Sequence, residues 1–258
     1  MYASGQMNGE RDMQGSTPPL PADAAGAVRF DPARFPVVAG LGKTGLSVAR
    51  FLADRGVVFA VADSRAAPPG LEELRRLCPT AERRLGGLAP AAFADAEQII
   101  LSPGIDPETP AVADARHRGI PVMGDIELFA EYADAPVIAV TGSNGKSTVV
   151  TLLGEMLQAA GRTVRVGGNL GVPALDLLGG ATPEAYLLEL SSFQLETTFG
   201  LNAAAAVVLN VSEDHLDRHP SLGAYAAIKQ RIYRGSGLMV LNADDPVVAS
   251  MGEVGRGT

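Results

Sequence analysis

The chain has 258 residues, with 29 acidic against 21 basic side chains and a net charge of −8. That length accommodates two domains with their own cores, and the acidic balance argues against nucleic-acid or membrane-surface binding while leaving room for a local basic site that meets phosphates. The single cysteine, Cys78, excludes an internal disulfide, and no apolar run approaches the roughly 18 residues of a membrane helix, so a soluble, cytoplasmic protein without membrane insertion is expected.

Residues 1–33 are polar, rich in Gly and Pro and without hydrophobic period, and read as a flexible tail that lacks the apolar core of a signal peptide. Order is expected from Phe35. "PVVA" is a buried strand, and Leu46, Val48, Ala49 and Leu52 then recur at helical spacing until Gly56 ends the helix. "VVFAVAD" is the next strand, "PGLEELRRL" a helix, "QIILS" a strand ending in the turn "PGI", and "PETPAVADARHRG" a helix closed by Gly119. "IPVMGDIELFAEYA" adds a strand and a helix, and "YADAP" at 132–136 reads as a linker. The rhythm then repeats: "VIAVTG", a helix to Ala160, "TVRVGGN", "AYLLEL", "AAAVVLN", a helix near 222–234, and "GLMVLN". Strands alternating with helices predict an α/β protein of two consecutive wound parallel sheets, a Rossmann-like unit over 34–133 and a second over 134–258.

Two glycine loops punctuate this pattern. Gly40-Leu41-Gly42-Lys43-Thr44-Gly45 is a full G-x-G-x-x-G between strand and helix, with Asp63 following at the end of the second strand. Such a loop suits a dinucleotide such as NAD(P), or is a structural turn. The second, Thr141 to Thr148, is shorter than the common phosphate loop, which would have a glycine where Val140 stands. Lys146 can reach β- and γ-phosphates, backbone N–H groups can cradle the oxygens, and the Ser147 hydroxyl can bind Mg²⁺. A dehydrogenase has no use for this loop, so ATP is expected here and another nucleotide at the first.

Three downstream residues stand out. Glu189 interrupts an apolar strand, where a carboxylate is costly unless paired, metal-bound or at a strand end that reaches solvent. His215 lies beyond a buried strand beside Asp214 and Asp217, as a metal ligand or a surface histidine, while His117 and His219 read as solvated. Lys229, between Tyr225 and Ile232 on a helix, reads as an ordinary helical lysine.

"VTGSNGKST", "GGNLG", "ELSSFQLE", "LNVSEDHLDRH", "AYAAIKQRIY" and "LNADD" together resemble, in order and spacing, the Mur ligases, ATP-dependent amide-forming enzymes of peptidoglycan precursor synthesis. The family loop is G-x-x-G-K-S/T, which accounts for Val140. "GLGKTGLS", "ADSR", "SPGI" and "GDIELF" look like the member that joins D-glutamate to UDP-N-acetylmuramoyl-L-alanine. The resemblance implies an acyl phosphate, made from ATP and attacked by the D-glutamate amine, and a monomeric enzyme. It implies ATP contacts at Gly142, Ser143, Asn144, Gly145, Lys146, Ser147 and Thr148, with Lys146, Glu189, His215 and Lys229 catalytic. Two Mg²⁺ are implied, held among Ser147, Glu189, His215 and Lys229, the last carbamylated. Gly42, Lys43, Thr44, Asp63, Ser64, Arg65, Ser102, Gly104, Asn169 and His215 are implied to meet the UDP-substrate. Relatives continue beyond "NADD", whereas here "PVVASMGEVGRGT" reads as a polar, glycine-rich end. An incomplete central domain with an exposed apolar sheet edge, and no amino-acid-binding third domain, is therefore expected. A span that binds both nucleotides without turnover is the alternative, and folate polyglutamate synthases share the second set of motifs but not the first.

Overall fold

The computed structural model describes residues 28–215 and 218–253. Most of the expected tail, residues 1–27, and Asp217 lie outside the described residues.

The first sheet is built from β1 (Pro36–Ala39), β2 (Ala60–Asp63), β3 (Glu82–Leu85), β4 (Gln98–Leu101) and β5 (Val122–Gly124), in the order β3-β2-β1-β4-β5. Between and after them run α1 (Lys43–Asp54), α2 (Leu71–Leu77), α3 (Pro110–His117) and α4 (Asp125–Tyr132). The second sheet takes β6 (Val137–Thr141), β7 (Val164–Gly168), β8 (Ala185–Glu189), β9 (Ala205–Val208) and β10 (Leu238–Leu241), in the order β10-β9-β6-β8-β7. Its helices are α5 (Lys146–Ala159), α6 (Ser192–Glu196), α7 (Leu222–Gln230) and α8 (Pro246–Ser250). Every strand pairing is parallel.

Parallel strands covered on both faces need continuous apolar runs, and β1, β2 and β4 are buried at every position. In both sheets the earliest strand is central and the order reverses beside it, which opens a crevice at its carboxyl end. The glycine loops follow those two strands. One apolar cluster runs through both units, from Val38 and Leu41 to Tyr186, Leu188 and Leu195, and the rings of Phe129 and Tyr186 meet edge to face at 5.1 Å. Side-chain bonds cross the seam as well: Ser47 Oγ donates to Asp176 at 2.8 Å, and Glu127 accepts from the backbone of Phe199 and Gly200. Each fully buried aliphatic side chain in this cluster contributes about 1.5–3 kcal/mol.

Four expectations are corrected. Part of the stretch read as tail is packed, since Phe30 is buried and its N–H donates to Glu131 Oε1 at 2.8 Å. The strand β3, Glu82-Arg83-Arg84-Leu85, carries no apolar signal because it is a charged sheet edge; Arg84 pairs there with Glu82 and Asp95. The end read as polar forms α8, capped by Asp245 accepting from Val247 and Val248, with Val248 buried. His219, read as solvated, is 2% exposed, with its Nε2 3.0 Å from Ser192 Oγ. His117 is exposed. At the edge of the second sheet β10 exposes Leu238 and Val240. Among the described residues no helix is long and apolar enough to cross a membrane.

Candidate active site between two glycine loops

The first loop closes by sterics. Gly40 has φ +91°, and a Cβ on Gly45 would lie 1.8 Å from the Gly40 carbonyl oxygen, so only glycine lets α1 start this close to β1. Asp63, at the end of β2, accepts the Leu41 N–H at 2.7 Å and is gripped by the Arg65 N–H and guanidinium at 2.7–2.9 Å. Burial raises the Asp63 carboxyl, but the Arg65 side chain and the two backbone donors outweigh it and lower the pKa to about 2. Gly42 caps α1 with no side-chain bond, which leaves N–H groups of the first turn for an anion. The Lys43 ammonium crosses to the second unit and donates to the Gly171 carbonyl.

Polar side chains close the second loop. Asn144 N–H donates to Asn210 Oδ1 at 2.9 Å, Asn210 Nδ2 returns a bond to the Asn144 carbonyl, and Ser143 Oγ accepts from Ser212 N–H. Gly145, in the left-handed region at φ +80°, turns the chain into α5. Lys146 opens that helix with its ammonium folded onto the Gly142 and Ser143 carbonyls at 2.8 and 3.0 Å. Asn144, Gly145, Ser147 and Thr148 are exposed around it.

Glu189, at the carboxyl end of β8, is 2% exposed and fully engaged. Its Oε2 accepts from Ser147 Oγ at 2.8 Å and its Oε1 from Asn169 Nδ2 at 2.7 Å, while the Asn169 N–H donates to its carbonyl. The helical lysine is no surface residue: Lys229 is 1% exposed, with Nζ donating to the Gly142 carbonyl at 2.9 Å and lying 4.4 Å from the Tyr225 ring centroid. Burial, with the nearby Lys146 ammonium, lowers its pKa to about 7. His215, at φ +53°, has an exposed ring packed on Phe193 at 4.8 Å and near perpendicular to the Tyr225 ring at 6.5 Å.

Between the first loop and the Gly168–Pro173 segment of the second unit lies a cleft of about 560 Å³. Gly42, Lys43 and Thr44, then Asp63, Ser64 and Arg65, then Ser102 and Gly104 line it from the first unit, and Asn169 from the second. His215 is not among its lining residues. Gln194, which the sequence reading passed over, also lines it; the pattern Ser191-x-x-Gln194 of a capping box was the available signal. Among the described residues no group of three or more His, Cys, Asp or Glu is placed to hold a metal ion. The paired oxygens of Ser147 and Glu189 still fit a hard cation that draws its remaining ligands from phosphates and water, as Mg²⁺ does.

The chain matches the Mur ligase MurD-like N-terminal domain over residues 34–124 and the Mur ligase middle domain over 140–256, which together take in most of it. The chain belongs to the Mur ligase family. It is 61% identical over 215 residues to the UDP-N-acetylmuramoylalanine–D-glutamate ligase of Nitrosococcus oceani, covering 83% of this chain and 48% of that one. With the enzyme of the same name from Pseudomonas savastanoi pv. phaseolicola it shares 58% over 212 residues, 82% of this chain and 47% of that one. This Mur ligase chain thus spans about half the length of the curated relatives it matches. The fold also matches a UDP-N-acetylmuramate:L-alanyl-gamma-D-glutamyl-meso-diaminopimelate ligase from Neisseria meningitides, with TM-score 0.57 and 19% identity over 86% of this chain and 75% of that one. A UDP-N-acetylmuramate-alanine ligase from Thermotoga maritima gives TM-score 0.54 and 19% identity over 84% of this chain and 51% of that one.

Proposed function

We propose that this protein takes part in ATP-dependent addition of D-glutamate to UDP-N-acetylmuramoyl-L-alanine in peptidoglycan precursor synthesis, as a cytoplasmic monomer. The unit over 34–133 holds the UDP-sugar and that over 134–258 holds ATP. The observation that carries the reading is the chain of bonds Asn169–Glu189–Ser147, which joins the cleft beside the first loop to the phosphate loop.

The reaction moves the γ-phosphoryl group of ATP to the alanine carboxylate, the D-glutamate amine attacks the acyl phosphate, and phosphate leaves. Such chemistry needs positioning and charge neutralisation more than covalent help. Lys146 neutralises the transferring phosphoryl oxygens, and its ammonium needs only to leave two loop carbonyls to do so. Gly142, Ser143, Asn144, Gly145 and Thr148 supply the cradle. Lys43 and Thr44 meet the diphosphate; Asp63, Ser64 and Arg65 lie beside the nucleotide; Ser102, Gly104 and Asn169 face the sugar-peptide. Ser147 and Glu189 would hold one Mg²⁺, and His215 and Lys229 a second. Bound there, the ions would draw off negative charge as it develops. A lysine amine lowered to about 7 has a substantial neutral fraction near neutral pH, so its lone pair can bond to the carbon of CO₂, with loss of one proton to water, to give a carbamate oxygen donor. The remaining N–H still suits the Gly142 carbonyl.

A second reading is that this span binds both nucleotides and does not turn over. Phosphate release that needs both UDP-N-acetylmuramoyl-L-alanine and D-glutamate is the ligase outcome; nucleotide binding without release is the second. Under either, Lys146→Ala abolishes the rise in melting temperature caused by Mg-ATP while leaving the ligand-free melting temperature within about 2 °C. Where release occurs, it falls about 10²–10³-fold, the loss typical of a transition-state donor. An unchanged response to Mg-ATP in the variant would remove the phosphate-loop assignment.

A further inference from the structure

Among the described residues, the buried side-chain polar atom without a hydrogen-bond partner is Oδ1 of Asp125. Asp125 begins α4, directly after β5 of the first sheet, and is 2% exposed. A buried carboxylate with one oxygen idle lowers stability. Burial pushes its carboxyl up to about 6 against the Gln194 bond and the partial positive charge of the nearby Asp125 and Ile126 N–H groups, which make no well-formed hydrogen bond to it. An apolar side chain of similar size would avoid burying the charge, at the cost of leaving the Gln194 N–H without its acceptor. Local violations of this kind are kept where a site needs them.

What the carboxylate holds is in the second unit. Its Oδ2 accepts from Gln194 Nε2 at 3.0 Å. Gln194 is also the third residue of α6, where its Oε1 takes the Ser191 N–H at 3.1 Å and the Ser191 hydroxyl at 3.3 Å. The oxygen end of the amide is therefore committed to Ser191 and the nitrogen end to Asp125. An amide nitrogen carries two hydrogens, and Asp125 takes one. Although it is 2% exposed, Gln194 lines the cleft. Its second N–H is the hydrogen-bonding group left for a ligand.

We infer that Asp125 is a positioning residue that, across the seam between the two sheets, fixes the amide nitrogen of Gln194 so that the cleft offers a donor to an acceptor oxygen of the bound sugar nucleotide. This rests on the reading of the cleft as the UDP-sugar site. The neighbouring helices agree with a rigid seat: a Cβ on Gly124 would lie 2.2 Å from Thr197 Oγ1, so α4 and α6 meet as closely as glycine allows.

The test uses the 258-residue chain and three readouts: affinity for UDP-N-acetylmuramoyl-L-alanine, affinity for Mg-ATP, and melting temperature. Asp125→Leu removes the acceptor and the buried charge. It is expected to weaken sugar-nucleotide binding at least tenfold and leave Mg-ATP binding within twofold, with at most a small fall in melting temperature because the lost buried charge offsets the Gln194 N–H left without its acceptor. Sugar-nucleotide affinity within twofold of wild type overturns the inference, as does a joint loss of both affinities with a falling melting temperature. The double variant Asp125→Asn with Gln194→Glu keeps the bond between the two side chains with its polarity reversed, leaves the Ser191 bonds as they are, and decides the matter should the leucine variant not fold. It presents a carboxylate oxygen to the cleft, so binding is expected to stay at least tenfold weak, and recovery to wild type would mean that Asp125 only ties the units together. Wild-type chain that fails to bind the sugar nucleotide would sink the cleft assignment and this inference with it, whereas binding that survives Asp125→Leu sinks the inference alone.

Discussion

The two glycine loops occupy equivalent places, each at the carboxyl end of a central strand, yet they are held by opposite means. In the first, backbone touches backbone: Gly45 lies so close to the Gly40 carbonyl that no side chain fits. In the second, amides and hydroxyls of Asn144, Asn210, Ser143 and Ser212 lace the loop to the segment after β9, and Lys146 rests on its own carbonyls. A loop fixed by contact is set before any ligand arrives and tolerates no side chain at the contact itself. A loop fixed by hydrogen bonds has groups it can redirect to phosphate oxygens, which are stronger acceptors than carbonyls.

The largest effect should come from the contact. Gly45→Ala places a methyl carbon 1.8 Å from Gly40 O and 2.8 Å from Gly40 C, so β1 and α1 must part. A loss of about 3 kcal/mol or more is expected in urea unfolding. The control lies three residues away. A Cβ on Gly42 meets nothing within 4 Å, and its φ of −88° suits any residue. Gly42→Ala should change stability by less than about 1 kcal/mol while blocking close approach of a diphosphate. Equal stability of the two variants would erase the contrast between the loops.

The contrast also shows what a sequence displays. Buried parallel strands are apolar runs followed by glycine, so both loops and both sheets, apart from the charged edge strand β3, were legible. Glu189 announced itself as a lone carboxylate in such a run. Its partners did not, because Ser147 lies forty-two residues before it and Asn169 twenty; only the strand order β6-β8-β7 brings them side by side. Lys229 was illegible for a similar reason. Its helix reads as ordinary, and its burial is created by the Gly142 turn and the Tyr225 ring closing over it. His219 disappears under Ser192 and two rings in the same way. Asp63 was read as a ligand contact; it lines the cleft, and besides this its Oδ2 holds the Leu41 N–H of the first loop while Arg65 grips both of its oxygens.

That internal role of Asp63 predicts the intermediate effect. Its folded pKa, about 2, lies below the ordinary 3.8, so its contribution to stability is present above pH 4 and lost as pH falls toward 2. A shift of this size corresponds to about 2 kcal/mol, and the half-exposed Arg65 partner places the expected loss in Asp63→Asn at about 1–2 kcal/mol at pH 7. By pH 3 the gap between wild type and variant should shrink to about half. A gap that stays constant with pH would mean that the carboxylate charge does not hold the loop.

A comparable effect tests the second loop on its own terms. Gly145 is left-handed at φ +80°, but the nearest atom to an added Cβ is Leu209 Cδ1 at 3.9 Å, an ordinary contact. Gly145→Ala therefore meets backbone strain without a clash, about 1–2 kcal/mol, or a fall in melting temperature of roughly 2–8 °C. Asparagine visits this conformation more readily than alanine, so Gly145→Asn should fall between alanine and wild type. The ranking separates the two architectures: strain is graded by residue type, whereas a clash is not. If Gly145→Asn proves as damaging as Gly145→Ala, and both approach Gly45→Ala, the second loop is closed by contact as well, and the freedom assigned to Lys146 to leave its carbonyls goes with it.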